Sequence, residues 1–310
     1  MAGPAHLGRD GGHSVQPAGT AGAACMNWTT LVDTTALSAA LGDPALRVVD
    51  ARFVMLNAPP DAGRQAYAES HLPGAVYADL NLDLSDLSKA GQGRHPLPDS
   101  DVFARRLGEW GIGPSHQVVV YDAGDGSMAA ARLWWLLKLL GHSRVAVLDG
   151  GLAAWRAMGG VETGEVPSLP SLPAYPSHFD AGQVVDAASI SARLGNDSGW
   201  LVDARATERF RGDVEPIDPV AGHVPGAVNR PFALNLRDGR FKPADELHAE
   251  LSQLLGNRSA VDTVLMCGSG VTACHLLLAF ERAGLHGARV YADSWSGWIS
   301  DPSRPVARGD

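Results

Sequence analysis

Cys267 stands in the string Val264-Leu265-Met266-Cys267-Gly268-Ser269-Gly270-Val271-Thr272. Three apolar residues close a buried strand, the cysteine follows at once, and a run of small residues makes a tight loop. A helical pattern, ACHLLLAFERAG, then begins at Ala273 and stops at Gly284. A cysteine at the mouth of a strand–loop–helix unit meets loop N–H groups and the positive helix end, and both favour the thiolate. A free thiol ionises near pH ~8.5, and surroundings of this kind bring it below ~7. Gly268 and Gly270 let the backbone bend around whatever the sulfur carries. The plain alternative is a buried structural cysteine. The small-residue loop favours the nucleophile. Cys274, among Ala273, Leu276 and Leu277, is assigned to the core.

The elements that must position this loop come in two sets. Arg47-Val48-Val49-Asp50-Ala51-Arg52 reads as a strand ending in a charged pair, followed by His71-Leu72-Pro73-Gly74-Ala75. Residues 101–113 read as a helix closing on Gly111 and Gly113, and Gln117–Tyr121 as a buried strand. The loop Asp122–Ser127, a helix Met128–Leu140, a strand Arg144–Leu148 and a helix carrying Trp155 complete the unit. The second half repeats this order. Leu201-Val202-Asp203-Ala204-Arg205 matches Val48–Arg52, and His223-Val224-Pro225-Gly226-Ala227 matches His71–Ala75 at nearly the same spacing. Val264–Met266 matches Val118–Tyr121, Arg289–Asp293 matches Arg144–Asp149, and Trp298 matches Trp155. The expected fold class is therefore α/β, two tandem copies of one unit, each a mostly parallel sheet flanked by helices.

The expected boundaries are a disordered tail over 1–27, with Met26 a candidate start, a first domain over 28–160, a proline-rich linker over 161–181 and a catalytic domain over 182–305. At the loop position the first copy has Asp122, so it lacks the thiol nucleophile. The first copy is expected to be a docking half. The site should face the cleft between copies at the C-terminal end of the second sheet.

Composition narrows the function. The 310 residues are 45% hydrophobic with no run long enough to span a membrane, and a net charge of −9 argues against nucleic acid and membrane surfaces as partners. Three cysteines, Cys25 far from the other two, make neither a disulfide framework nor a zinc site, so a reducing, cytoplasmic location is expected.

At the repeated Asp-Ala-Arg, the His-x-Pro-Gly-Ala and the cysteine loop, the chain resembles the rhodanese superfamily in its tandem-domain sulfurtransferase form, from about Trp28 to Pro305. The uncharged Cys267–Thr272 loop is similar to that of 3-mercaptopyruvate sulfurtransferases. The resemblance implies that the Cys267 thiolate takes the sulfane sulfur of 3-mercaptopyruvate as a persulfide, releases pyruvate, and passes the sulfur to a thiol, thioredoxin or cyanide. Loop N–H groups and Ser269, with Gly268, Gly270, Val271 and Thr272 around the substrate, fit the charge that must be stabilised. The reaction requires no metal or organic cofactor, and the chain is expected to act as a monomer.

The resemblance makes Arg209, in Asp203–Gly212, the carboxylate-binding arginine, and a planar fork suits that task. The alternative for Arg209 is a solvated surface charge. Arg205 is expected to pair with Asp203 or the loop; Arg211 stays open. Relatives specific for mercaptopyruvate carry a second arginine in a Glu-Pro-Arg string, where this chain has Glu215-Pro216-Ile217-Asp218. That departure raises thiosulfate as the alternative donor. The resemblance also implies an Asp–His–Ser relay through His95 and Ser269. The aspartate position falls on Asn81, with Asp79 or Asp83 standing in, and we take Asp83 as the candidate. His95 beside prolines is otherwise a turn residue. His71 and His223 precede Pro-Gly turns in both copies and are read as structural. A cysteine phosphatase needs an arginine six places after the nucleophile, where Ala273 stands. A non-catalytic binding or sulfur-carrier module would not need Cys267, Ser269 and Arg209 together.

Overall fold

A computed structural model describes residues 1–3, 26–54, 59–124, 129–195 and 198–310. Most of the expected tail, residues 4–25, lies outside the described residues, as do 125–128 of the Asp122–Ser127 loop and the start of the helix that follows it. Met26, assigned to the tail, is buried in the first core beside Leu46 and Val119.

The first domain contains β1 (Leu31–Val32), α1 (Thr34–Ala40), β2 (Leu46–Asp50), α2 (Ala62–Glu69) and β3 (Ala75–Tyr77). These are followed by α3 (Ser100–Glu109), β4 (Gln117–Tyr121), α4 (Ala129–Leu139), β5 (Val145–Leu148) and α5 (Gly151–Ala157). Its five strands lie in the order β1-β5-β4-β2-β3, all parallel.

The second domain contains β6 (Val184–Val185), α6 (Ala187–Arg193), β7 (Leu201–Asp203), α7 (Thr207–Arg211) and β8 (Val228–Asn229). A hairpin of β9 (Leu236–Arg237) and β10 (Arg240–Phe241) leads into α8 (Ala244–Leu255). Then come β11 (Val264–Met266), α9 (Thr272–Arg282), β12 (Arg289–Tyr291) and α10 (Ser294–Trp298). The second sheet is β6-β12-β11-β7-β8, again parallel and in the same order as the first.

Parallel strands covered on both faces need continuous apolar runs rather than alternation. Gln117–Tyr121 and Val264–Met266 are buried at every residue, as that requires. The repeated Asp-Ala-Arg strings are local clamps. Asp50 accepts from Arg52 Nε at 2.8 Å, and Asp203 from Arg205 Nη2 at 2.6 Å, at the ends of corresponding strands. The repeated histidines are also scaffold. His71 stacks on Tyr67 and its Nδ1 meets the Tyr67 carbonyl; His223 does the same with Phe210.

The correspondence runs past the expected boundaries. His71 bridges Thr163, and His223 bridges Ala307, both antiparallel. The segment after α5 is thus the counterpart of the C-terminal residues. The proline-rich stretch beyond it is tied to the first domain through Leu172 N–H to Gly108 O, Tyr175 N–H to Ala104 O and Asp180 N–H to Leu139 O.

The two domains meet along α4 and α9. Helix α4 is buried almost all round because it serves its own sheet and this interface together, and Trp134 and Trp135 fill the space. Each such side chain contributes on the order of 2 kcal/mol of burial. The Phe241 N–H on the β9–β10 hairpin donates to Asp149 Oδ1 at 2.9 Å, a second tie across the interface.

Candidate active site

Strand β11 ends at Met266, so Cys267 emerges at the C-terminal edge of the second sheet, and its loop leads directly into α9. The Gly270 N–H donates to Cys267 Sγ at 3.2 Å. That geometry needs a glycine: φ is +77°, and a Cβ there would lie 2.0 Å from the Ala292 carbonyl oxygen. The start of α10, just after β12, grips the cysteine loop from behind. Ser294, at φ +54°, accepts from the Cys267 N–H at 3.0 Å. The N–H groups of Trp295 and Ser296 donate to the carbonyls of Cys267 and Gly268 at 3.0 and 2.9 Å. Cys274 is buried, its Sγ donates to Gly270 O, and burial pushes its thiol up to about 12; it belongs to the core, as read from its neighbours.

The first domain supplies the other wall. His95 Nδ1 lies 2.8 Å from Ser269 Oγ, 174 residues away in sequence. Burial, and then the nearby guanidinium charges of Arg132 and Arg94, push the His95 imidazole down to about 3. The ring is therefore neutral near pH 7, and we assign the Ser269 hydroxyl as donor to Nδ1. Arg132 of α4 is wholly buried under the loop. Its Nη1 donates to Gly270 O at 3.2 Å and its Nη2 to His95 O at 3.1 Å. Among the described residues no carboxylate lies within salt-bridge distance of it. Burial lowers its pKa, and Cys274, Cys267 and Asp293 act against that.

Asp83 does not support His95. Its Oδ1 pairs with Arg106 Nε at 2.9 Å and its Oδ2 accepts from the Asp79 N–H at 2.8 Å. Arg106 on α3 draws the carboxylate into a separate surface cleft with Leu82 and Val102. Asp79 is spent on the same turn, its Oδ1 accepting from the N–H groups of Asn81 and Leu82.

Cys267 opens on a cavity of about 170 Å³ between the domains. Leu80, Ile217 and Phe232 give it apolar walls; Gly268, Ser269, Val271 and Thr272 come from the loop; Arg94, Arg205 and Arg209 bring positive charge. Gly270 sits behind the loop rather than on the cavity wall. Arg205 is held by Asp203 and lies 4.7 Å over the Trp295 ring, a scaffold role. Arg211 pairs with Asp310, away from the site. Arg209 is bonded by Glu215 through Nε and Nη2 and reaches Asp218 at 3.1 Å. A larger cleft of about 670 Å³ lies at the corresponding end of the first sheet, where Asp122 takes the place of the cysteine.

Sequence reasoning missed Arg94, Arg132, Ser294 and Ser296. Arg94 was visible only as the neighbour of His95, and its N–H donates to Ser296 Oγ at 3.0 Å. The contacts of these residues join segments far apart in the chain.

Against this geometry stand the likenesses to known proteins. A family model described as a rhodanese-like domain matches twice, over residues 33–158 and 186–301. The chain belongs to the rhodanese-like family. It is 49% identical over 292 residues to a Pseudomonas aeruginosa protein provisionally named a 3-mercaptopyruvate sulfurtransferase, covering 92% of this chain and 100% of that one. It is 44% identical over 275 residues to SseB of Mycobacterium tuberculosis, provisionally named a thiosulfate sulfurtransferase, covering 86% and 92%. Among solved structures, the Escherichia coli 3-mercaptopyruvate sulfurtransferase SseA superimposes with a TM-score of 0.73 at 30% identity, covering 87% of this chain and 100% of that one. This rhodanese-like chain is a sulfur-transferring enzyme. No helix among the described residues is long and apolar enough to cross a membrane.

Proposed function

We propose that the chain moves the thiol sulfur of 3-mercaptopyruvate to a thiol, such as thioredoxin, or to cyanide through a Cys267 persulfide. The observation that carries this reading is Cys267 Sγ receiving the Gly270 N–H at 3.2 Å beside a small cavity that holds Arg209. The thiolate attacks the donor sulfur, an S–S bond forms, and the C–S bond breaks. The electron pair passes to carbon as the pyruvate enolate, which takes a proton from solvent. The acceptor thiolate or cyanide then attacks the outer sulfur, and Cys267 leaves as the thiolate again. Arg209 binds the donor carboxylate. The loop N–H groups meet the charge that builds on the enolate and on the sulfur, and Ser269 joins them when its hydroxyl turns from neutral His95 to the substrate.

Thiosulfate is the second reading. It is favoured by Ile217 in the cavity wall, where the resemblance calls for an arginine, and by the name of the mycobacterial relative. The test measures pyruvate release from 3-mercaptopyruvate against thiocyanate formation from thiosulfate and cyanide. The expected result is faster turnover of mercaptopyruvate, a 32-dalton gain on Cys267 after donor treatment, and no activity with either donor in Cys267→Ser. Turnover by Cys267→Ser, or no mass gain, would overturn the mechanism. Preference for thiosulfate would overturn the donor assignment.

A further inference from the structure

Two guanidinium groups, one from each domain, meet over the loop peptide next to the nucleophile. Measured from the point where a Cβ on Gly268 would sit, Arg94 Nη2 is 2.9 Å away, and Arg209 Nη1 and Nη2 are 3.6 and 3.7 Å away. Each arginine is anchored by acids. Asp218 takes Arg94 through Nη1 and Arg209 through Nη2, and Glu215 takes Nε and Nη2 of Arg209. Asp218, almost wholly buried, therefore fixes the spacing of the two forks. Arg94 is held at its backbone as well, through its N–H to Ser296 Oγ.

This arrangement leaves Arg94 Nη2 and Arg209 Nη1 as neighbouring donors at the cavity, with no acid tying either of them among the described residues. Ile217, which also lines the cavity and precedes Asp218 in the chain, offers no charge. A small cavity with two converging forks is suited to a single planar oxyanion shared between them.

We propose that Arg94, donated by the domain without the nucleophile, is a donor-binding residue that pairs with Arg209 to seat the carboxylate of the sulfur donor, with Asp218 setting the distance between them. This deepens the sulfur-transfer reading above and rests on Cys267 accepting sulfur from a small acid. Gly268 belongs to the same device: any side chain there would fill the space under Arg94.

The test is the anion preference of Cys267 toward alkylating reagents, which does not depend on which sulfur donor is natural. Iodoacetate and iodoacetamide react by the same step: the thiolate attacks the methylene carbon, the C–S bond forms, and iodide leaves. They differ in carrying a carboxylate or a neutral amide. The expected result is that Arg94→Ala lowers the iodoacetate-to-iodoacetamide rate ratio about tenfold, the iodoacetamide rate of each protein serving as the reference for its own thiol reactivity. Adding Ile217→Arg to Arg94→Ala brings a guanidinium back to the cavity from another lining position and restores the ratio. With 3-mercaptopyruvate, Arg94→Ala raises KM about ten- to hundredfold and leaves kcat within a fewfold. A rate ratio unchanged by Arg94→Ala overturns the proposal. A lowered ratio in a chain that turns over no mercaptopyruvate upholds the anion seat and refutes the donor.

Discussion

His95 offers a quantitative test of how the site is built. Burial beside Arg132 and Arg94 holds its imidazole at about 3, whereas in an unfolded chain it titrates near ~6.5. The folded value lies below the unfolded one, so the unfolded chain binds more protons as pH falls through that window. Folding stability from this residue is complete above about pH 7.5 and is lost as pH drops toward 3. At pH 5 the unfolded imidazole sits about 1.5 units above the pH and the folded one stays neutral, which costs about 2 kcal/mol at ~1.36 kcal/mol per unit. Any folded value below about 4 gives the same figure, so the result does not hinge on the exact position. The assay is urea unfolding of the wild type and of His95→Gln at pH 7.5 and pH 5.0. Other titrating groups are common to both proteins and cancel in the second difference. The wild type should lose about 2 kcal/mol more than the variant on acidification. Equal losses would mean that His95 takes up a proton inside the fold, and the assignment of a neutral acceptor for Ser269 would fail.

Two further variants probe the loop. Gly270→Ala places a methyl on the Ala292 carbonyl oxygen in a left-handed backbone, so the loop must shift. The expected outcome is loss of at least about 90% of turnover and about 1–3 kcal/mol of stability, read by kinetics and thermal melting. Near-normal activity would show that the Gly270 N–H is not needed at the sulfur. Arg132→Met removes the buried cation behind the loop, whereas Arg132→Lys keeps a charge. The rate of Cys267 alkylation by iodoacetamide at pH 7.5 should fall in Arg132→Met and partly recover in Arg132→Lys. An unchanged rate, with melting temperature lowered alike in both, would reduce Arg132 to packing.

What was legible in the sequence is what the chain encodes within a short stretch. The Asp203–Arg205 clamp, the stacked histidines before the Pro-Gly turns and the strand–loop–helix around Cys267 are all local, and each recurs or explains itself by spacing. Repetition of the strand order in two sheets followed from the same local strings. The cationic wall was not legible because Arg94 and Arg132 act on residues 124 and 138 positions away, respectively, Asp218 and Gly270. Asp83 misled for the converse reason. It lies two residues from Asn81, where the resemblance puts the relay aspartate, but Arg106, one helix further on, is a better partner for its charge and turns it the other way. Short elements such as β6, β8 and the β9–β10 hairpin carried no periodic signal at two residues each.

The bridges from His71 to Thr163 and from His223 to Ala307 have a practical consequence for anyone dissecting the chain. Each half is finished by a strap that returns to it only after its last helix. A cut made at residue 160 would strip the first half of its strap, and one made at 305 would do the same to the second. A bisected gene should therefore be divided nearer residue 181, after the strap and its proline-rich extension. Fragments so divided would each carry a finished sheet, yet neither would turn over substrate alone. Recovery of turnover on mixing would measure how tightly the halves clasp.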